Sequence, residues 1–367
     1  MKITHFFIVL LALSLSASSC KDDEMPDPEV PELEVPVVYD FENVSYSGQQ
    51  SRLAQFGEMK DYIGTSKTQG TALDADRLSA MYANAPGAEY SHEYVKDLRS
   101  KTFPGVREDF DNLLIALAAD SQSEVPGTEG TAGVIESNDG AKSYLVSAKG
   151  MDSAQVFEKS LMGACLYYQA TSVYLGDDRM NVDNETITPG EGTDMEHHWD
   201  EAFGYFGVPT DFPTNTAGIV FWGNYADKRE AVLGNSQTLM DALLKGRAAI
   251  SADRLDLRDE AIAEVRREWE LISVTSALHY LNTGLTRFDD MALRSHDLSE
   301  AIGFIYSLQF NEAKRIDNEQ VTELLTLIAG SDDFAEMNLY QTTPQNLQSA
   351  KNKLAVWYSL EARADEF

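Results

Sequence analysis

Residues Asp152–Leu175, DSAQVFEKSLMGACLYYQATSVYL, decide how this chain is read. Asp152 or Ser153 can cap a helix running to about Leu175, because a short oxygen-bearing side chain accepts the first unpaired amide protons. Phe157, Leu161, Cys165 and Tyr168 then fall on one stripe, the spacing of a helix with one face in a core. From Asp152 onward the same texture repeats.

A loop rich in Asp, Asn and Gly (176–192) leads to a helix over Thr193–Phe206, followed by an irregular aromatic stretch, VPTDFPTNTAGIVFWGNY (208–225). Within it, GIVFWGNY is too rich in glycine for a plain helix and reads as a loop packed against one. Longer helices are predicted at about 235–251, 257–284, 288–309 and 344–362, with a shorter one at 318–330. On the N-terminal side, 50–63, 71–83, 91–102 and 106–120 show helical spacing. Between 123 and 150 short apolar runs flank Asn138-Asp139-Gly140, a hairpin signal. The fold class is therefore all-α, two packed helical bundles with a small β-hairpin around 130–150. One bundle takes about 39–150 plus part of the C-terminal region, the other 151–367. No fixed-period repeat is present.

Sixty acidic against 29 basic side chains give a formal net charge of −31 over 367 residues. Such a surface repels phosphate backbones, so nucleic acid is not an expected partner. Hydrophobic residues make up 43% of the chain, enough for a real core.

The first forty residues carry an address. Lys2, an apolar run Phe6–Leu15, small residues Ser16–Ser19 and then Cys20 read as a secretory signal (1–20) too short to span a bilayer. A cysteine at the cleavage point resembles the lipobox of bacterial lipoproteins, with Ala17 where leucine is usual, and implies lipidation of Cys20. The run Lys21-Asp22-Asp23-Glu24 resembles the acidic export tag of surface-exposed lipoproteins. Residues 21–38 form an acidic, proline-rich tether that holds the domain off the membrane. The expected location is the outer membrane with the domain at the cell surface; the alternative faces the periplasm. The remaining cysteine, Cys165, reads as a buried small hydrophobe and not as a nucleophile.

The residues that carry chemistry gather at His197–Gly207, HHWDEAFGYFG. His198 and Glu201 stand three apart and His197 and Glu201 four apart, so both pairs can share a helix face. Imidazole and carboxylate at that spacing is how helix bundles build metal sites. His296 and Glu300 form a related pair on a second helix, and Glu158 is the acid on the inner half of the helix before the cluster. The candidate metal ligands are His198, Glu201, His197, Glu158, His296 and Glu300, with iron or zinc as the metal. A zinc-protease layout is not supported: counting from His198, Trp199 stands where the general base belongs and Ala202 where the second histidine belongs. Nucleophile elbows, phosphate loops and dinucleotide fingerprints do not occur, so an enzyme is not the expectation. Asp177–Glu185, DDRMNVDNE, lacks the spacing of an EF-hand.

Several segments carry a resemblance. GTDMEHHWDEAFGYFGVPTDFP (192–213), with LMGACLYYQAT (161–171), LMDALLKGRAAI (239–250), SALHYLN (276–282) and HDLSEAIGFIYSLQFN (296–311), resembles a family of bacterial helical lipoproteins classed as domain of unknown function 4856. The likeness covers nearly all of the mature chain. More loosely, His198-x-x-Glu201 and the segment His296–Phe304 are similar to imelysins, helical-bundle proteins linked to iron uptake. Their first motif has glycine two positions before its histidine, where this chain has Glu196. The resemblance implies a lipoprotein that binds a metal ion or metal complex for uptake and meets an outer-membrane transport partner. The alternative is a non-catalytic protein- or glycan-binding module in which the HHWDE cluster is purely structural.

Overall fold

A computed structural model describes residues 32–367. The signal sequence, Cys20 and the tether as far as residue 31 lie outside the described residues.

Among the described residues, twelve α-helices carry the fold: α1 Ser47–Gly64, α2 Ala75–Ala83, α3 Arg107–Ser121, α4 Ser153–Leu161, α5 Asp177–Met180, α6 Asp194–Gly204, α7 Trp222–Leu233, α8 Ser236–Ser251, α9 Leu255–Thr286, α10 Met291–Ser307, α11 Asn318–Ala329 and α12 Pro344–Tyr358. A two-stranded antiparallel hairpin, β1 Gly133–Glu136 and β2 Ser143–Val146, is the sheet, as the Asn-Asp-Gly signal implied. The all-α expectation with one small hairpin is met. No described helix is long and apolar enough to cross a membrane.

α9 is the spine. It packs along α8 and α10, α10 packs on α4, and α12 closes over α9 and α11. Two glycines set how closely α4 and α10 approach. A Cβ on Gly303 would fall 2.4 Å from Lys159 Cβ, and one on Gly163 would fall 2.1 Å from Ser307 Oγ. The core is aromatic: Trp199, Trp222, Trp269, Tyr167, Tyr205 and Phe157 are wholly buried. Each such apolar side chain contributes about 1.5–3 kcal/mol of transfer free energy.

The deciding stretch departs from its periodicity halfway. Asp152 does cap α4, its side chain accepting from Gln155 N, and the first nine residues are α-helical. Met162–Tyr167 and Gln169–Tyr174 then widen into π turns. Outside donors take carbonyls that an α-helix would use: Trp222 Nε1 donates to Met162 O (3.0 Å) and Phe103 N to Ala164 O (2.8 Å). The lengthened turns place Tyr167 in the core and leave Tyr168 part-exposed.

Two segments differ from expectation. Residues 91–102 are irregular, ending in a short 3-10 turn at Arg99–Lys101. Ser91 N and Oγ and Tyr94 OH all donate to the Glu58 carboxylate, and Ser100 N donates to Asp97; these local bonds replace a helical ladder. Conversely, Trp222–Tyr225, read as the end of a loop, opens a helix that runs from Trp222 to Leu233, the Trp222 indole anchored on Met162 O.

Candidate functional site

Thr193 starts α6 with a reciprocal cap: its hydroxyl accepts from Glu196 N (3.2 Å), and Glu196 Oε2 accepts from Thr193 N (3.0 Å). Two residues of the HHWDE run, Trp199 and Asp200, then fix the helix in place, together with Glu196 before it. Trp199 Nε1 donates to Leu243 O (3.0 Å). Asp200, wholly buried, accepts from Tyr39 OH (2.8 Å), Arg247 Nε (3.0 Å) and Ser45 N (3.3 Å). The guanidinium of Arg247 also reaches Glu196 Oε1 (2.5 Å). Burial holds the Asp200 carboxyl above the ordinary range, against the pull of Arg247.

Of the other three residues of the run, Glu201 and His197 face a polar cluster. Glu201 Oε1 accepts from Gln49 Nε2 (2.8 Å) and Tyr174 OH (3.1 Å), and Tyr174 OH accepts from Lys101 Nζ (3.1 Å). The Lys101 ammonium also stands 5.3 Å from the Tyr174 ring centroid. His197 Nε2 lies 3.9 Å from Glu201 Oε2, while its Nδ1 is buried with no partner. His198 turns the other way. Its Nδ1 is 2.9 Å from Arg179 O and its Nε2 3.2 Å from Arg179 Nη1, the pattern of a neutral ring donating to the carbonyl and accepting from the guanidinium. Burial, together with the Arg179 charge, lowers its pKa.

Beside these stands Tyr205, wholly buried with its hydroxyl unpartnered, within electrostatic range of Arg52, Tyr174 and Glu201. Burial, and then the Arg52 charge, makes Lys101 easier to deprotonate than a free lysine, with Arg179 acting the same way and Glu201 opposing. In a chain of net charge −31, the charges of Arg52 and Arg179 thus act on Lys101 and Tyr174 beside the Glu201 carboxylate, with Arg52 itself donating to Asp97 O (3.0 Å) and Gly48 O (3.3 Å). Two buried polar atoms there, His197 Nδ1 and Tyr205 OH, make no bond to protein, a state that costs roughly 1–3 kcal/mol each when nothing else satisfies it.

Glu158, His296 and Glu300 belong to a second network, between α4 and α10. His296 Nδ1 lies 3.0 Å from Asp152 Oδ2, its Nε2 lies 3.3 Å from Glu300 Oε1, and its ring stacks on Tyr144 at 4.2 Å. Glu300 also accepts from Tyr225 OH (3.2 Å). Glu158 pairs with Lys159 Nζ (2.8 Å) and Lys60 Nζ (3.3 Å), and does not join Glu201. Burial opposes charge on Glu158, but Lys159 and Lys60 outweigh it and lower its pKa.

The six candidate ligands therefore sit in two networks: His197, His198 and Glu201 at α6, and Glu158, His296 and Glu300 at the α4–α10 contact. Among the described residues, no three His, Cys, Asp or Glu side chains are grouped as a metal ion requires. Tyr174, Lys101, Gln49 and Arg52, which complete the Glu201 cluster, come from α1, the 91–102 segment and the second π turn. None of these four stands at a spacing that marks a metal ligand in the sequence. Cys165 is buried, and burial pushes its thiol up to about 12.

The family model "Domain of unknown function (DUF4856)" matches residues 36–361, and the chain belongs to that family. No curated protein and no solved structure matches it.

Proposed function

We propose that this DUF4856 protein is a lipid-anchored outer-membrane protein that binds an anionic metal complex at the Glu201 cluster and hands it to a transport partner. The observation that carries the reading is that the charges of Arg52 and Arg179 act on Lys101 and Tyr174 beside Glu201, with His197 Nδ1 and Tyr205 OH buried and unpartnered beside it. A bare cation has little to gain among three basic side chains. A metal carried by a carboxylate chelator fits both halves of the cluster. Its carboxylates meet Lys101, Arg52 and Arg179 by charge-assisted hydrogen bonds. Its metal meets the imidazole of His197, the Glu201 carboxylate and the Tyr174 phenol, donors that suit iron, with zinc as the other metal to test. His198 stays tied to Arg179 and positions that guanidinium. Glu158, His296 and Glu300 keep the polar core of the α4–α10 contact.

The lipid anchor on Cys20, the acidic tag Lys21–Glu24 and the tether carry the location. A second reading, a protein- or glycan-binding module with a structural HHWDE cluster, is favoured by the bonds that Trp199, Asp200 and Glu196 make to α8 and to the chain near Tyr39.

The test is calorimetric titration of the full chain, purified without chelator, with ferric citrate and separately with zinc chloride. Ferric citrate should bind, and Glu201→Gln and Lys101→Ala should each weaken it at least tenfold, about 1.4 kcal/mol, with an unchanged helical circular dichroism spectrum. Absence of binding by the unmodified chain, or equal binding by both folded variants, would leave only the second reading.

A further inference from the structure

A cavity of about 660 Å³ lies between α3, the end of the hairpin and the loop after α11, away from the Glu201 cluster. Four carboxylates line it: Asp109 and Asp120 from α3, Asp332 and Asp333 from the loop. Their bonds to protein are few. Asp332 accepts from Thr322 Oγ1 (2.8 Å) and Asp333 from Ala335 N (2.9 Å), while Asp109 and Asp120 accept from no side chain. The basic residue in the lining, Lys149, is already held by Ala335 O (2.6 Å) and Glu336 (3.0 Å).

A group of acids alone is a solvated surface, but here an unpartnered polar group faces the same space. Tyr306 lines the cavity and is only 6% exposed, and its hydroxyl, which keeps contact with open space, takes part in none of the side-chain hydrogen bonds of the fold. Burial, and then the charges of Asp109 and Asp332, raise the pKa of that hydroxyl. The Tyr306 ring packs 4.7 Å from that of Phe334, whose part-exposed face forms an apolar wall. Burial pushes Asp120 up to about 6, and burial with the nearby Asp333 raises Asp109, so these acids gain from a cation brought close.

We propose that this cavity binds an aliphatic polyamine. Its ammonium groups pair with Asp109, Asp120 and the Asp332–Asp333 edge, the Tyr306 hydroxyl accepts from one of them, and its methylene segments lie along Phe334. A bare divalent cation makes no use of the aromatic wall or of a space this large. A polyamine uses both, because charge and apolar chain alternate along it. The ring face of Phe334 adds a cation–π contribution.

The test is titration of the full chain with spermidine at 150 mM salt, followed by calorimetry. One saturable site per chain is expected. The pair Asp120→Asn and Asp332→Asn should weaken binding at least tenfold, and Tyr306→Phe, which preserves the packing, a few-fold. A control pair on exposed helix surfaces, Asp241→Asn and Glu319→Gln, should leave it unchanged. Binding that falls equally in the control pair reports general attraction to an acidic protein and overturns the proposal. So do the lack of a saturable site, or calcium binding at the same carboxylates where spermidine gives no heat.

Discussion

The indole of Trp199 lies directly against Gly246, so that a Cβ on that glycine would stand 2.0 Å from the ring. The contact joins α6 to α8 at a point where no side chain fits, and the Trp199 Nε1 bond to Leu243 O fixes the ring's tilt. Gly246→Ala should therefore displace the indole. Overpacking of this kind costs about 1–3 kcal/mol, and the upper end is expected because both partners lie inside helices. The check is urea unfolding followed by tryptophan fluorescence. A midpoint unchanged from the parent would mean that α8 can slide, and that the α6–α8 contact does not hold the HHWDE run in place.

Much of this architecture follows from local pattern. The cap at Asp152, the apolar spacing of α8 to α12 and the hairpin at Asn138-Asp139-Gly140 are short-range features, and each is realised. What escaped depends on distant residues. The π widening after Leu161 needs Trp222 and Phe103 to capture two carbonyls, and the loss of helix at 91–102 needs the Glu58 carboxylate. The candidate site divides the same way. The i, i+4 pair of His197 and Glu201 is visible as spacing, whereas Gln49 reaches Glu201 across 152 positions and Lys101 reaches Tyr174 across 73. Opposite directions for the neighbours His197 and His198 arise from Arg179, which periodicity does not contain.

His296 gives the fold a pH dependence. Burial disfavours its imidazolium, but the Asp152 bond and the charges of Glu300 and Asp297 outweigh burial and raise its pKa above the ordinary value. A histidine raised in the folded state contributes stability that is fully present below its unfolded pKa of about 6.5 and is lost as pH rises through the folded value. Asp297, pushed up to about 6 by burial, loses its contribution at lower pH, between its unfolded value and 6, so the window above 6.5 belongs to His296. The stability difference between the parent and His296→Gln should be largest near pH 6 and shrink toward pH 8, measured by thermal melts across that range. A difference that grows with pH would contradict the assignment of Asp152 and Glu300 as its partners.

The proposed anchoring has its own readout. Cys20→Ala should move the protein from the membrane fraction to the soluble fraction, since one apolar run removed with the signal leaves no other anchor of that kind in the described residues. Protease added to intact cells should digest the domain if it is displayed outward. Full protection in intact cells, with digestion after permeabilisation, would instead place it facing the periplasm.

Tyr174 tests whether the Glu201 cluster is a binding site or a staple. Its hydroxyl accepts from Lys101 and donates to Glu201, and it ends the π turns that bring it to α6. Tyr174→Phe removes both bonds and keeps the ring. If the cluster only holds helices together, the substitution costs about 1 kcal/mol of stability, the net value of a hydrogen bond, and nothing else changes. If Tyr174 is a ligand-facing donor, ferric citrate affinity should fall at least tenfold as well. The two effects separate because Lys101 and Glu201 both keep contact with solvent and can be rehydrated, which limits the loss of stability, whereas a missing donor to the bound complex is not replaced. Calorimetric titration beside urea unfolding of the same sample measures both, and an affinity unchanged in a mildly destabilised variant would assign Tyr174 to the fold alone.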